Sequence, residues 1–340
     1  MHDVAREAGV SQTTVSFVLN DNQDVHIAKQ TRDRVLDVVK RLGYLRQPGI
    51  TTRRRPNSAP FIGFIVDEID TSIFAAISIQ GAKEAAWDAG YVLDIAMTSS
   101  DPDYEKIVLN RWMDDGVAGV IYASILTRQI TPPEQLKSMN SVLLNCHSKE
   151  QPYTAVLPSE TLGGFTATQS LIAAGCKRIA FIGGEEWMEA ANERRDGYRN
   201  ALTSHNIQAD ESLIRPGNFL PSGGHEATME LMALAEPPDG IFCSNDLVAI
   251  GAYEALKELG KRIPEDIAIV GYDDQEIARH LNPPLSTVLL PHREMGQWAV
   301  NWLLTEGTKG ARPPTTFRLE CPLVSRASCP LIKEVSVSPQ

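Results

Sequence analysis

Residues 4–20 read VAREAGVSQTTVSFVLN, and the stretch spells two short helices with a stop between them. Val4, Ala5 and Ala8 recur at helical spacing, and Gly9 follows as the stop. Ser11 is placed to cap a second helix running to about Asn20. Val15, Val18 and Leu19 fall on one face of that helix; Gln12, Thr13, Ser16 and Phe17 fall on the other. The spacing predicts a third helix from Lys29 to Leu42. Its apolar stripe would be Val35, Leu36, Val38, Val39 and Leu42, and Gly43 would end it.

Two short helices joined by a Gly-containing turn, with a third behind, make a helix-turn-helix unit. A trio of this size also suits protein docking, so periodicity alone leaves both uses open. As a DNA reader, its second helix would lie in the major groove with its N-terminal residues at the base edges. Gln12 and Thr13 then read bases, Gln being able to bond adenine bidentately. Thr14 and Ser16 carry hydroxyls suited to phosphate. Charge is divided accordingly. The chain as a whole carries −11, yet residues 1–60 hold more Lys and Arg than Asp and Glu, and the acidic excess lies in the remainder.

Outward from the head, residues 45–60 read LRQPGITTRRRPNSAP. Pro, Gly and consecutive Arg without apolar periodicity make a linker. Arg53, Arg54 and Arg55 would meet phosphates or enter a narrow minor groove, or else stand as a solvated charge run.

Beyond residue 60, short β-rich runs alternate with helical patterns. The predicted strands are Phe61–Val66, Val92–Ala96, Val117–Tyr122, Ser141–Leu144, Arg178–Ile182, Gly240–Cys243 and Ile267–Gly271. Helices are expected over 74–90, 103–114, 160–174, 192–206, 223–235 and 247–259. Near-continuous apolar strands separated by helices imply parallel sheets covered on both faces, with enough units for two sheets. A ligand would then sit outside the strand C-termini, in the cleft between two lobes.

Composition sets outer limits. A chain of 340 residues suits two or three domains, and 43% hydrophobic with 22% charged residues is ordinary for a globular protein. No run is apolar for the length of a membrane span. The N-terminal residues show no leader pattern. The scattered Cys146, Cys176, Cys243, Cys321 and Cys329 form no C-x-x-C, which fits reduced cytoplasmic thiols rather than disulfides or a metal site. No P-loop, H-E-x-x-H or G-x-S-x-G is present, and the acid pairs Asp114-Asp115 and Asp273-Asp274 are merely sequence neighbours. The expectation is a protein that is not an enzyme and has no cofactor or metal.

The stretch 4–20, followed by Thr31-Arg32-Asp33-Arg34-Val35 and Leu42-Gly43-Tyr44, resembles the DNA-binding domain of the LacI/GalR family of transcriptional regulators. In the body, Arg194-x-x-Gly197-Tyr198-Arg199, then Ser244-Asn245-Asp246-x-x-Ala249-x-Gly251, then Val270-Gly271-Tyr272-Asp273-Asp274 extend the resemblance to about residue 328. It implies an all-α helix-turn-helix head plus an α/β two-lobed domain like a periplasmic binding protein. The head would span 1–45 and the hinge 46–60. The effector and dimerisation domain would span 61–330, with one lobe at 61–157 plus 290–318, the other at 158–289 plus 319–330, and a tail at 331–340.

The implied function is a regulator, chiefly a repressor, of a pseudo-palindromic double-stranded DNA operator. It would be a homodimer with no membrane contact, controlled by a small effector, by default a carbohydrate. The alternative is a sugar-binding module with an impaired head. The implied DNA-binding set is Ser11, Gln12, Thr13, Thr14, Ser16, Phe17, Asn20 and Arg53–Arg55. The implied effector set is Asp67 after the first strand, Asn145 after the fourth, Arg194, Phe219, Asn245, Asp273 after a strand, and His292.

The chain departs from the family pattern in five places, one of them Asn145, where the family frequently has Asp. Phe17 stands where the family usually has an Arg, so it either meets a thymine methyl or packs on its neighbours. Ala28 stands where a Ser usually caps the third helix. The hinge lacks the family's A-R-x-L, and family members carry a few more residues before His2.

Overall fold

The computed structural model describes residues 2–10, 14–15, 18, 27–41, 59–69, 73–149, 153–307 and 313–330. The chain divides into two compact units, Met1–Arg55 and Pro56–Gln340.

In the first unit, α1 spans His2–Ala8 and α2 spans Lys29–Arg41, with Thr14, Val15 and Val18 also helical. Gly9, at φ +62, ends α1. Its N–H donates to the Arg6 carbonyl and that of Val10 to Ala5, so the last carbonyls of the helix are capped. Ala5, Ala8, Val15, Val18, Val35 and Val38 form the core of this unit. Leu36, expected in the apolar stripe, is 42% exposed. It lies one residue, about 100° of arc, off the line through 35, 38 and 39. At the start of α2 the Ala28 carbonyl accepts from the N–H groups of Thr31 and Arg32, and its methyl offers no side-chain acceptor. Leu19, Leu42 and Gly43 lie outside the described residues.

The second unit holds two six-stranded sheets. One is built from β1 (Phe61–Val66), β2 (Val92–Met97), β3 (Val120–Gln129), β4 (Ser141–His147), β5 (Ala155–Pro158) and β11 (Thr316–Leu319), in the order β2-β1-β3-β4-β5-β11. The other is built from β6 (Ile179–Gly183), β7 (Ile214–Pro216), β8 (Gly240–Cys243), β9 (Ala268–Asp273), β10 (Ser286–Leu289) and β12 (Leu323–Val324), in the order β7-β6-β8-β9-β10-β12. The second order repeats the first. Every pairing is parallel except β10 with β12. The covering helices are α3 (Ile73–Asp88), α4 (Pro102–Asp115), α5 (Glu160–Ala173), α6 (Glu189–Ser204), α7 (Pro221–Met232), α8 (Asp246–Glu258) and α9 (His292–Thr305).

Both faces of each sheet are buried, which is why the strands read as apolar runs rather than alternating ones. On β1, Ile62, Phe64 and Val66 join one cluster while Ile65 joins another with Trp112. On β6, Ala180 and Ile182 pack to one side and Ile179 and Phe181 to the other. The chain passes between the sheets after β5, after β10 and again after β11. Among the described residues no helix is long and apolar enough to cross a membrane.

The sequence placed the early strands well and missed several later elements. β3 runs to Gln129, past the expected end at Tyr122, with a register shift between Ala123 and Arg128. β5, β7, β10, β11, β12 and α9 had no counterpart in the expected elements. β9 includes Asp273 and β4 includes Asn145, so neither residue follows its strand as expected.

Candidate functional site

In each sheet the order turns at its second strand, so neighbouring strand ends diverge there and open a crevice at their C-termini. The crevice lies between β1 and β3 in one lobe and between β6 and β8 in the other. Helix α6 carries Arg194 to this level in the second lobe. It packs closely on α5, because a Cβ at Gly164 would collide with the Arg194 carbonyl and one at Gly197 with the Thr161 carbonyl.

Arg194 is the only buried Lys or Arg among the described residues. Its Nε and one terminal nitrogen donate to both oxygens of Glu160, at 2.8 and 2.9 Å. The other terminal nitrogen donates to the Ser244 carbonyl at 2.6 Å and stands 3.6 Å from Asp273 Oδ1. The Tyr272 ring stacks beneath, its centroid 3.8 Å from the guanidinium carbon, and Phe219 lies 5.9 Å away. Burial opposes the charge of Arg194, but Glu160 and then Asp273 outweigh it and hold the guanidinium charged. Burial pushes the Asp273 carboxyl well up, against Arg194, with the nearby Asp246 and Glu160 adding to the rise.

The expected effector residues fall into two groups. Arg194, Phe219, Asn245 and Asp273 come together in the second lobe. Asn245 caps α8, its Oδ1 accepting from Val248 N at 2.8 Å while its Nδ2 donates to the Phe219 carbonyl at 3.2 Å. Asp67 and Asn145 lie in the first lobe on either side of the segment Ser124–Ile125. Asp67 accepts from Ser124 Oγ, Ile125 N and Arg128. Asn145 donates to the carbonyls of Ser124 and Ile125 and accepts from Thr127. Both therefore brace that segment with groups already used inside the protein.

Asn145, Phe219 and Asp273 all have positive φ, as do Asn218 and Asp274. Non-glycine residues rarely hold this conformation, and it costs roughly 1–3 kcal/mol each, so such residues collect where a site is preorganised.

His292 opens α9 and is 3% exposed. Its Nδ1 lies 3.3 Å from Ser78 Oγ and its ring stacks on Phe74 at 5.0 Å. Burial pushes its pKa down to about 4, with Glu160 raising it and Arg194 lowering it. Phe74, Ser78, Ser124, Ile125 and His292 line a small cavity in the first lobe, with room for about one water.

Glu160, Tyr272 and Phe74 were not picked out as site residues. Tyr272 stood inside a quoted motif. Glu160 and Phe74 carried no sequence signal, because only the packing of α5 on α6 and of α3 on α9 brings them here. Asp274 is turned away to Arg326 and Arg279.

Among the described residues, Glu189 and Glu193 on α6 both reach the other lobe. Glu189 accepts from Gln129 N at 3.2 Å and lies 2.9 Å from His147 Nε2. Glu193 takes both terminal nitrogens of Arg318, each at 2.9 Å.

Of the expected DNA-binding residues, Thr14 is helical and half-buried. Ser11, Gln12, Thr13, Ser16, Phe17, Asn20, Arg53, Arg54 and Arg55 lie outside the described residues. No group of three or more His, Cys, Asp or Glu among the described residues is arranged to hold a metal ion.

Comparison with known proteins agrees with this architecture. Residues 1–47 match the family model for bacterial regulatory proteins of the lacI family, and residues 168–329 match that for a periplasmic binding protein-like domain. The HTH-type transcriptional repressor PurR of Mannheimia succiniciproducens is 31% identical over 330 residues, covering 96% of this chain and 97% of that protein. The ribose operon repressor of Haemophilus influenzae is 33% identical over 305 residues, covering 89% and 90%. The crystal structure of the lac repressor dimer bound to operator and the anti-inducer ONPF superposes with a TM-score of 0.66 at 25% identity, covering 96% of this chain and 98% of that one. With both units matched in sequence and fold, the chain belongs to the LacI family of bacterial regulatory proteins.

Proposed function

We propose that this protein is a DNA-binding transcriptional repressor whose operator affinity is set by a small molecule, a sugar or sugar derivative, held between its two lobes. The observation that carries the reading is the buried cluster around Arg194 at the strand C-termini, on the same chain as a helix-turn-helix head. A buried guanidinium with carboxylates, stacked aromatics and strained backbone is an expensive arrangement, and binding sites are where such strain collects. The relatives named as the transcriptional repressor PurR and the ribose operon repressor, and the lac repressor dimer bound to operator, support the same reading.

The head, about 1–45, and the hinge, about 46–60, would engage DNA. Gln12 and Thr13 would face base edges, with Ser11, Thr14, Ser16, Asn20 and Arg53–Arg55 on phosphate and Phe17 beside them. The lobes would divide at about 157/158, 289/290 and 318/319. A homodimer would pair two heads on a pseudo-palindrome. Val92, Ile95 and Met97 on the edge strand β2, with Tyr104 and Ile107 on α4, are large apolar side chains left exposed in the single chain, as a dimer face requires.

The test is fluorescence anisotropy of the full chain on palindromic operator DNA, with and without a carbohydrate panel. Tight, salt-dependent binding to one palindrome, altered by one sugar, is the expected result. Binding no tighter than to random DNA, together with sugar binding, would leave a sugar-binding module in place of a repressor.

A further inference from the structure

The buried acids of the second lobe outnumber the cations that reach them. Glu160, Asp246 and Asp273 are all buried, and Arg194 is the one buried Lys or Arg among the described residues. Arg194 is spent on Glu160, which takes its Nε and one terminal nitrogen, and it stands 3.6 Å from Asp273. Arg326, whose charge reaches Asp246, is bound by Asp274, and Arg279 faces Asp274 as well.

One residue bridges the two acids left over. The Gln275 N–H donates to Asp246 Oδ2 at 2.7 Å, and its side-chain Nε2 donates to Asp273 Oδ2 at 3.3 Å. Thr287 Oγ1, on β10, donates to the other Asp246 oxygen at 2.6 Å. There is little room around that oxygen, because a Cβ at Gly271 would collide with it. Asp273 and Asp274, which lead into Gln275, hold φ values of 107° and 52°, so the bridge hangs on strained backbone.

Two ionised carboxylates in so dry a space would repel, and a buried acid without a cation sheds its charge by taking a proton. The donors from Gln275 and Thr287 favour an ionised Asp246, but burial outweighs them and pushes its carboxyl up to about 7. Burial also holds the Asp273 carboxyl well above the usual range, against Arg194, and the Asp246 charge adds to the rise. Cys243 on β8 and Tyr253 on α8 face Asp246, and Tyr272 lies beneath Arg194; burial pushes all three further from ionising. Glu160 faces Asp273 from across Arg194.

We propose that Asp246 and Asp273 hold one proton between them at neutral pH, and that its loss as pH rises drives the two carboxylates apart and loosens the segment after β9 that carries Gln275. The folded chain binds this proton, whereas an unfolded aspartate, at about 3.9, does not. The stability it confers is therefore lost as pH rises through about 7, by up to roughly tenfold in the folding constant per pH unit.

Infrared spectra of the full chain, without ligand, test the proton directly. Exposed carboxyls are ionised by neutral pH, so the C=O stretch of a protonated carboxyl there reports a buried one. In the wild type that band should be present at neutral pH and fade as the solution becomes alkaline. Asp246→Asn and Asp273→Asn each remove one negative charge. In each variant, once its melting curve shows that it folds, the band should weaken or fade about one pH unit earlier or more. Hydrogen exchange of amides 274–279, corrected for its intrinsic pH dependence, should rise roughly tenfold across the same range in the wild type and hardly change in either variant. A wild-type spectrum without the band at neutral pH overturns the proposal. So does a band that neither variant alters, since the proton then lies elsewhere, and so does a band that fades while exchange of 274–279 stays constant.

Discussion

Arg194 and Glu160 form a buried ion pair beside the C-terminal ends of the second sheet. A buried ion pair is seldom a net source of stability, since desolvating both charges offsets most of their attraction, but breaking it strands the survivor. Glu160→Gln should therefore destabilise the body by about 3–5 kcal/mol in urea unfolding, while the double change Glu160→Leu with Arg194→Met should cost less than Glu160→Gln alone. A double variant as unstable as the sum of its singles would contradict this account. His292 makes a separate residue-level prediction. Its folded pKa, about 4, lies below the ordinary value of 6.5, so the unfolded chain binds its proton first as pH falls. The stability it confers is complete above about 6.5 and is lost as pH drops toward 4, at up to ~1.4 kcal/mol per pH unit. His292→Gln should remove that slope. The comparison is urea midpoints for both proteins from neutral pH to pH 4, and parallel curves would reject it.

At the scale of elements, α2 begins on Ala28, whose carbonyl but not side chain serves the first turn. Ala28→Ser should add roughly 1 kcal/mol to the stability of the head by supplying a side-chain acceptor to the first turn. Hydrogen exchange of the α2 amides in the full chain reads this directly, and no slowing would show that the cap is made some other way. The same helix shows where reading from sequence fails. Val35, Val38 and Val39 were correctly placed inward, but Leu36 was drawn in on apolarity although its angle on the helix faces water. The body follows a similar rule. β1 and β4, of six and seven residues, carry apolar runs long enough to be legible. β7 and β12 span too few residues for any period to appear. α9 buries Met295, Gly296, Ala299, Val300 and Leu303 at i, i+4 spacings, a real signal diluted by small residues and by its place after Pro291. Arg194 and Asp273 were visible as motif residues. Their partners Glu160 and Phe74 were not, because tertiary packing alone creates those contacts.

At the scale of the whole second unit, polar clasps on one helix join the two lobes. Glu189 and Glu193 sit one turn apart on α6, and the same turn carries Arg194. Their partners, His147, the Gln129 amide and Arg318, all belong to the other lobe. A separation of the lobes would break these contacts. Such half-exposed pairs are worth only about 0.2–1 kcal/mol each. They add little to folding, yet two of them together can shift an open–closed ratio by roughly two- to thirtyfold, because the two states need differ by only a kcal/mol or so. Screening acts on them strongly, the Debye length falling from ~10 Å at 0.1 M salt to ~3 Å at 1 M. The double variant Glu189→Gln with Glu193→Gln should therefore keep the wild-type unfolding midpoint within about 1–2 kcal/mol but show a larger radius of gyration in small-angle scattering. Wild type should expand toward the same value as salt rises, whereas the variant should hardly respond. If both proteins scatter alike at every salt concentration, the clasps do not govern the lobes, and closure is set by packing at the crossovers between the sheets.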